Sequence, residues 1–425
     1  MTAFAFPRAS ARALTRMPAS IVAAGGLALA SLFNLAALLL WVRWLGPAAF
    51  GSLALLGAAG LLANALAFEW LRLAGARLLI VHGQVSPAIL ADWVRAGAVT
   101  TTLLITLAVT ATVLGRLAPF GLQPGWTAAV VMLALGEMMI GAVMLVERLR
   151  LRPWRFAALL VGRAVLSLAG GIVAVASGAG VAGIVGAMIA APIAVALTVM
   201  ARDPLWRLAF AFRPTGLRPL LSLGALLLPA SLLQLAASLA DRLLAGALLG
   251  SAAAGALAAP SDLVARTLGF AMMALNLTAY PTLVRLFDGD DPAATARALR
   301  RNGLTLLAVG IPLAATFVLL AGPLTALLLG PSYRTTAALL PWLAGAALLR
   351  LVAAFHYGVR FQLERRMALL LPGPAVALLL LLCGAPAAVS ADGLLGLAKL
   401  GFVAQTAGLA VSALLARRLV TPRKR

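Results

Sequence analysis

Residues 16–72 read RMPASIVAAGGLALASLFNLAALLLWVRWLGPAAFGSLALLGAAGLLANALAFEWLR. Two apolar stretches, 19–41 and 50–71, lie between Arg16 and Arg72, and the link joining them carries one cation, Arg43. A helix needs roughly 20 residues to cross ~30 Å of hydrocarbon, so each stretch is long enough to span a bilayer. Cations held at the two outer ends and scarce in the link place those ends in the cytoplasm. The segment is therefore expected to go out and come back.

The same layout continues along the chain. Of 34 Lys and Arg, 26 fall in seven clusters, at 8–16, 72–95, 148–155, 202–218, 285–301, 360–366 and 417–425. Between successive clusters lies a pair of apolar stretches. Expected spans are 19–41, 50–71, 96–115, 126–147, 156–177, 181–201, 220–249, 254–277, 303–328, 335–357, 367–389 and 393–416. Backbone polar groups cannot be left unpaired in lipid, and segments this long exclude the short alternating strands of a barrel. The expected fold is an all-α polytopic membrane protein of about twelve transmembrane helices, with both termini cytoplasmic. Ser20 to Trp41 is too long for the apolar core of a signal peptide and is read as a retained first helix.

Composition agrees and removes several alternatives. The chain is 63% hydrophobic and only 11% charged, outside the range of soluble domains. Its net charge of +22 would point to nucleic acid in a soluble protein. Here the cations hug membrane ends without interleaved aromatics, so they are topology determinants facing anionic lipid. A single cysteine, Cys383, rules out an internal disulfide. His82 and His356 are far apart, so no metal centre and no cofactor is expected. The outer links, such as 43–49, 250–253 and 390–392, are too short for a catalytic domain. The Asp288, Asp290, Asp291 turn lacks the later ligands of a calcium loop and reads as a helix N-cap.

An internal repeat divides the chain. Leu45-Gly-Pro-Ala-Ala-Phe-Gly51-Ser-Leu-Ala54 matches Leu249-Gly-Ser-Ala-Ala-Ala-Gly255-Ala-Leu-Ala258. Each copy joins the first helix of a half to its second. An even number of spans per half gives two parallel, pseudo-symmetric six-helix lobes, expected at 1–203 and 204–425.

Ionisable residues inside spans are costly and are functional candidates by default. The cations are Arg163, Arg242, Arg266, Arg350 and Lys399; the anions are Glu137, Asp241 and Asp262. Asp241 and Asp262 fall at similar depth, Asp262 and Arg266 are four residues apart on one helix, and Glu137 and Arg163 sit on consecutive helices. Ion pairing among Glu137, Asp241, Arg242 and Asp262 is one reading and ion coupling is the other. Arg350 and Lys399 have no acid on their own or the preceding helix. Arg163, Arg266, Arg350 and Lys399 are expected to line a cationic cavity, since an unpaired cation in a bundle wants water or an anionic ligand. Pro229 shares a helix with Asp241-Arg242 and is the expected hinge.

These features resemble a known family. Arg43-Trp-Leu-Gly-Pro-Ala-Ala-Phe-Gly51 is similar to the turn after the first helix of polysaccharide flippases of the multidrug/oligosaccharidyl-lipid/polysaccharide exporter superfamily. Asp241-Arg242, Leu249-Gly250, Pro281-Thr-Leu-Val-Arg285, Arg300-Arg301 and Gly330-Pro-Ser-Tyr333 follow that family's layout in order. Glu69-Trp70-Leu71-Arg72 departs from the Asp-x-Gly pattern of many relatives. The resemblance implies a non-enzymatic flippase in a bacterial inner membrane, exporting a lipid-diphosphate-linked oligosaccharide for surface polysaccharide by alternating access. It implies membrane lipids as partners, and a polysaccharide polymerase and chain-length regulator beside it. A cation-coupled multidrug antiporter of the same superfamily is the alternative, and a membrane glycan polymerase or ligase a further one. Arg would suit a diphosphate through bidentate charge-assisted bonds.

Overall fold

A computed structural model of the protein describes residues 19–113, 124–211, 216–289 and 291–417. The expected basic ends at 8–16 and 418–425, most of the 116–125 link and Asp290 lie outside the described residues.

Among the described residues, eleven α-helices of eight residues or more organise the chain: α1 (Ala19–Leu78), α2 (Pro87–Val113), α3 (Thr127–Leu149), α4 (Pro153–Ala176), α5 (Gly180–Arg202), α6 (Pro204–Ala211), α7 (Arg218–Leu249), α8 (Ser251–Asp288), α9 (Pro292–Leu319), α10 (Leu340–Val352) and α11 (Pro372–Arg417). Among the described residues, ten helical segments are long and apolar enough to cross a membrane. Two of the ten are double. α1 folds back at Gly46 and α11 at Asp392-Gly393, so ten segments make twelve crossings. α10 is the middle of a longer helical segment, Pro331–Leu363.

Turn chemistry explains the folding back. Gly46 has φ 69° and ψ 176°, and Gly393 has φ 55°. Residues with a Cβ rarely adopt such positive φ, so glycine at these two positions reverses the chain without strain. A two-residue hairpin, β1 (Ile80–Val81) with β2 (Gln84–Val85), turns at His82-Gly83 and leads into α2. Asp291 caps α9 by accepting a 2.8 Å hydrogen bond from the Ala294 N–H, the N-cap role expected of that acidic turn. Several helices outrun the hydrocarbon. α8 has 38 residues, ~57 Å at 1.5 Å per residue, so its Arg285 end projects from the apolar zone.

The two copies of the repeat meet in space. Gly250 (φ 87°, ψ 176°) has the backbone conformation of Gly46. A Cβ added to Gly51 would stand 1.8 Å from the Ser251 carbonyl oxygen. One added to Gly255 would stand 1.9 Å from the Pro47 carbonyl oxygen. Pro47 and Ser251 hold the same place in the two copies, so the contact is reciprocal, like the isologous contact about a two-fold axis. Around it a core shared by both lobes buries Trp41, Phe50 and Leu53 with Leu263, Leu268 and Phe317. Arg43 crosses between lobes here and donates to the Leu328 carbonyl (3.2 Å) and to that of Leu327. At the other end, Gly224 of α7 packs on the Trp70 carbonyl, 2.6 Å from where a Cβ would sit.

The expected lobe boundary at 203/204 falls just before α6. Trp206 and Ala209 of α6 are nevertheless buried in the first lobe's core with Leu90, Trp93, Val143 and Val146. The charge bias leads to the expectation that residues 148–155 face the cytoplasm. A Trp154→Cys, Cys383→Ser protein is therefore expected to resist an impermeant thiol reagent in intact cells and to react after permeabilisation. Labelling from outside would reverse the orientation.

Candidate functional site

Each intramembrane charge can now be placed. Arg163 of α4 donates to Glu137 of α3, and Arg242 of α7 donates to Asp262 of α8. Lys399 donates to Asp392, in the turn that folds α11 back on itself. Asp241 accepts a 2.8 Å hydrogen bond from the Arg242 backbone N–H. Two of the four expected cavity cations, Arg163 and Lys399, are thus ion-paired. The Lys399 pairing escaped the sequence reading because Asp392 lies in the link, and only the Gly393 turn brings it onto the ammonium. The spacing of Asp262 and Arg266 also misleads. Asp262 pairs across to α7, and Arg266 forms no salt bridge among the described residues.

Breaking a buried pair leaves an uncompensated charge and costs about 3–5 kcal/mol. The Arg242 and Asp262 side chains are 14% and 19% exposed. Asp262→Asn is therefore expected to lower the stability of the solubilised protein by about that amount, measured by thermal unfolding. Asp262→Asn with Arg242→Gln should recover most of the loss.

Arg350 is different. It ends the straight part of α10, forms no salt bridge among the described residues, and borders a cavity of about 710 Å³. Asp241, Asp262 and Arg242 act on it electrostatically from beyond salt-bridge range. α7 supplies Gln234, α8 Asn276 and Tyr280, and α11 Gln405 and Ser412. The first lobe supplies one residue, Arg148 of α3. That arginine is exposed and without a salt bridge among the described residues, and the sequence reading took it only as a topology determinant. Its position on the charged inner end of a span would have been the signal.

Local backbone shapes the cavity wall. Immediately after α10 the helix widens into a π turn, Ala353–Gly358, which lines the cavity beside Arg350. Such turns expose carbonyls and recur at functional sites. Asn302 of α9 satisfies one of them, donating to the Phe355 carbonyl at 3.2 Å. The Asn276 Oδ1 is buried without a hydrogen bond, a polar acceptor left for water or ligand.

Arg266 stands above this chamber. Arg266, Phe270, Met273, Leu277 and Pro281 recur at helical spacing on one stripe of α8. Leu277 and Pro281 line the cavity, and Arg266 and Phe270 are exposed. Eleven residues separate Arg266 from Leu277, ~16 Å along the helix. Pro229, five residues before Gln234, lies inside α7, which continues through it as one helix. Among the described residues no group of three His, Cys, Asp or Glu is placed to hold a metal ion. The polar groups on the chamber wall are mainly guanidinium and amide donors.

Comparison with known proteins follows the same lines. Residues 40–338 match the family model described as "Polysaccharide biosynthesis protein". No curated protein matches the chain. Among solved structures, the chain is similar to the lipid II flippase MurJ in an inward closed conformation: TM-score 0.73, 10% identity, covering 93% of this chain and 87% of that one. It is also similar to a mutant of the Vibrio cholerae MATE transporter VcmN, with TM-score 0.58, 16% identity and coverages of 94% and 97%. An outward-facing multidrug resistance MATE family transporter of the MOP superfamily gives TM-score 0.54 and 17% identity, with 94% and 95% covered. At these identities the likeness shows a common two-lobe fold.

Proposed function

We propose, because the chain belongs to the polysaccharide biosynthesis protein family, that it moves an anionic lipid-diphosphate-linked oligosaccharide across a bacterial inner membrane. The observation that supports this most is Arg350 and Arg148, from different lobes, on the wall of one cavity and with no salt bridge on either among the described residues. A diphosphate is matched by two separate guanidinium forks, and Gln234, Asn276 and Gln405 add neutral partners for sugar hydroxyls. Arg266 would receive the charge on its way outward. The lobes, taken as 1–203 and 204–425, would rock about the contact between the repeat turns, with Pro229 as a hinge in α7. No covalent step is needed.

Charge balance favours this reading over a multidrug antiporter. A cationic drug wants a free carboxylate in the bundle. Here Glu137, Asp262 and Asp392 are each ion-paired, and Asp241 is engaged by the Arg242 N–H. The donors left unspent are basic.

The test is a reconstituted system. Liposomes containing the protein and a labelled polyprenyl-diphosphate oligosaccharide on one leaflet should expose the glycan to a glycosidase on the other side, and protein-free liposomes should not. Movement of a cationic dye without glycan exposure would favour the antiporter instead.

A further inference from the structure

We infer that the first lobe carries a second, separate lipid site: a groove between α4 and α5 that holds an anionic diacyl phospholipid by its phosphate. The groove encloses about 670 Å³. Its walls are apolar, with Ala158, Leu159, Leu166, Ala194 and Val195 among them. Leu166 is 49% exposed, so the wall faces the acyl region of the bilayer. At the end that the charge bias makes cytoplasmic, the mouth is ringed by Arg150, Arg152, Arg155 and Arg202. An apolar slot with cations at its interfacial end is complementary to one acyl chain and a phosphate.

The arginines are held in two layers. Beneath them lie Glu147 and Asp203, with side chains 0% and 6% exposed. Arg150 is the internal strut: it donates to Asp203 and approaches Glu147 at 4.0 Å. Arg152 lies 3.9 Å from Glu147 and 3.5 Å from Asp203, and Arg155 lies 3.8 and 3.6 Å from the same acids. Those distances are attraction without hydrogen bonding. Both Glu147 oxygens are buried without a hydrogen bond. The acids therefore hold the guanidiniums near them without a hydrogen bond to Arg152 or Arg155, whose side chains stay 37% and 58% exposed. Four cations over two acids leave the mouth with a net charge of +2.

Asp203 stays ionised in this arrangement. Burial works to raise its pKa, but the Leu205 N–H and Arg150 outweigh burial and hold the group below its usual 3.8.

The occupant is a resident lipid rather than the transported one. Among the described residues the lining runs from Glu147 to Pro204, and Pro204 begins α6, which packs in the first lobe's core, so rocking of the lobes neither opens nor closes the groove. The transported lipid must pass between faces; a phospholipid here would stay with the first lobe and fix its depth in the membrane.

Native mass spectrometry of the purified full chain tests this, titrating phosphatidylglycerol against phosphatidylcholine. The expected result is preferential retention of phosphatidylglycerol, lost about tenfold or more in Arg155→Gln, Arg202→Gln protein, in keeping with the attraction of each interfacial cation. Ala194→Trp fills the slot without touching charge and should lower retention similarly, which covers the case in which the arginine variant folds poorly. Equal retention of both lipids overturns the proposal, as does unchanged retention in either variant. So does loss only in Arg350→Gln, which would place the lipid in the other cavity.

Discussion

Gly51→Ala and Gly255→Ala are each expected to destabilise the protein by about 3 kcal/mol or more and to abolish transport. Overpacking a tight contact commonly costs about 1–3 kcal/mol, and here the obstacle is backbone rather than a side chain that can swing away. The new methyl would stand 1.8 Å from the Ser251 oxygen in the first case and 1.9 Å from the Pro47 oxygen in the second. The two turns would have to part, and the shared core of Trp41, Phe50 and Leu263 would part with them. Gly57→Ala is the control: nothing lies within 4 Å of its added Cβ. That substitution should leave stability unchanged or raise it by up to about 1 kcal/mol, the helix-propensity gain of Ala over Gly. Thermal unfolding in detergent reads all three. Equal behaviour of Gly51→Ala and Gly57→Ala would mean that the lobes do not meet at this turn.

The second large effect concerns Arg350. Reversing its charge with Arg350→Glu should reduce glycan transfer in the liposome assay by at least about thirtyfold, since truncating a charge-assisted partner in a desolvated site costs about 2–5 kcal/mol. Arg148→Glu should act in the same direction from the opposite lobe. Arg350→Lys keeps the charge but loses the fork, and is expected to retain part of the activity. Arg163→Gln offers the contrast: it removes a partner of Glu137 and should appear as lost stability more than as lost transfer by the folded fraction. A fully active Arg350→Glu protein that inserts normally would remove the cavity from the transport path.

Much of the architecture was legible because a bilayer imposes length and charge rules that survive without any alignment. The twelve crossings follow from apolar runs and from glycines at Gly46, Gly250 and Gly393, whose positive φ folds the chain back. The pairing of Glu137 with Arg163 was legible for the same reason: consecutive helices at one depth must touch. What stayed hidden depended on rotation about helix axes and on turns. Asp262 had two basic neighbours by spacing, and only the facing of α7 against α8 decides for Arg242. Lys399 had no acid until the Gly393 turn placed Asp392 beside it. Arg148 looked like one of many topology cations. Its special quality, a place on the wall of the second lobe's chamber, depends on how the lobes stand about that cavity, which no single helix encodes.

The reciprocal glycine contact has an evolutionary reading. When the same short turn touches its own copy, each glycine facing the other's backbone, the arrangement is what two identical half-length chains would form as a symmetric pair. One patch that fits itself suffices to build such a pair, and fusing the genes afterwards needs no new surface. Once fused, the halves are free to diverge everywhere except at that seam. This is how the second half can leave Arg350 unpaired on a chamber wall while the first keeps Arg163 paired to Glu137.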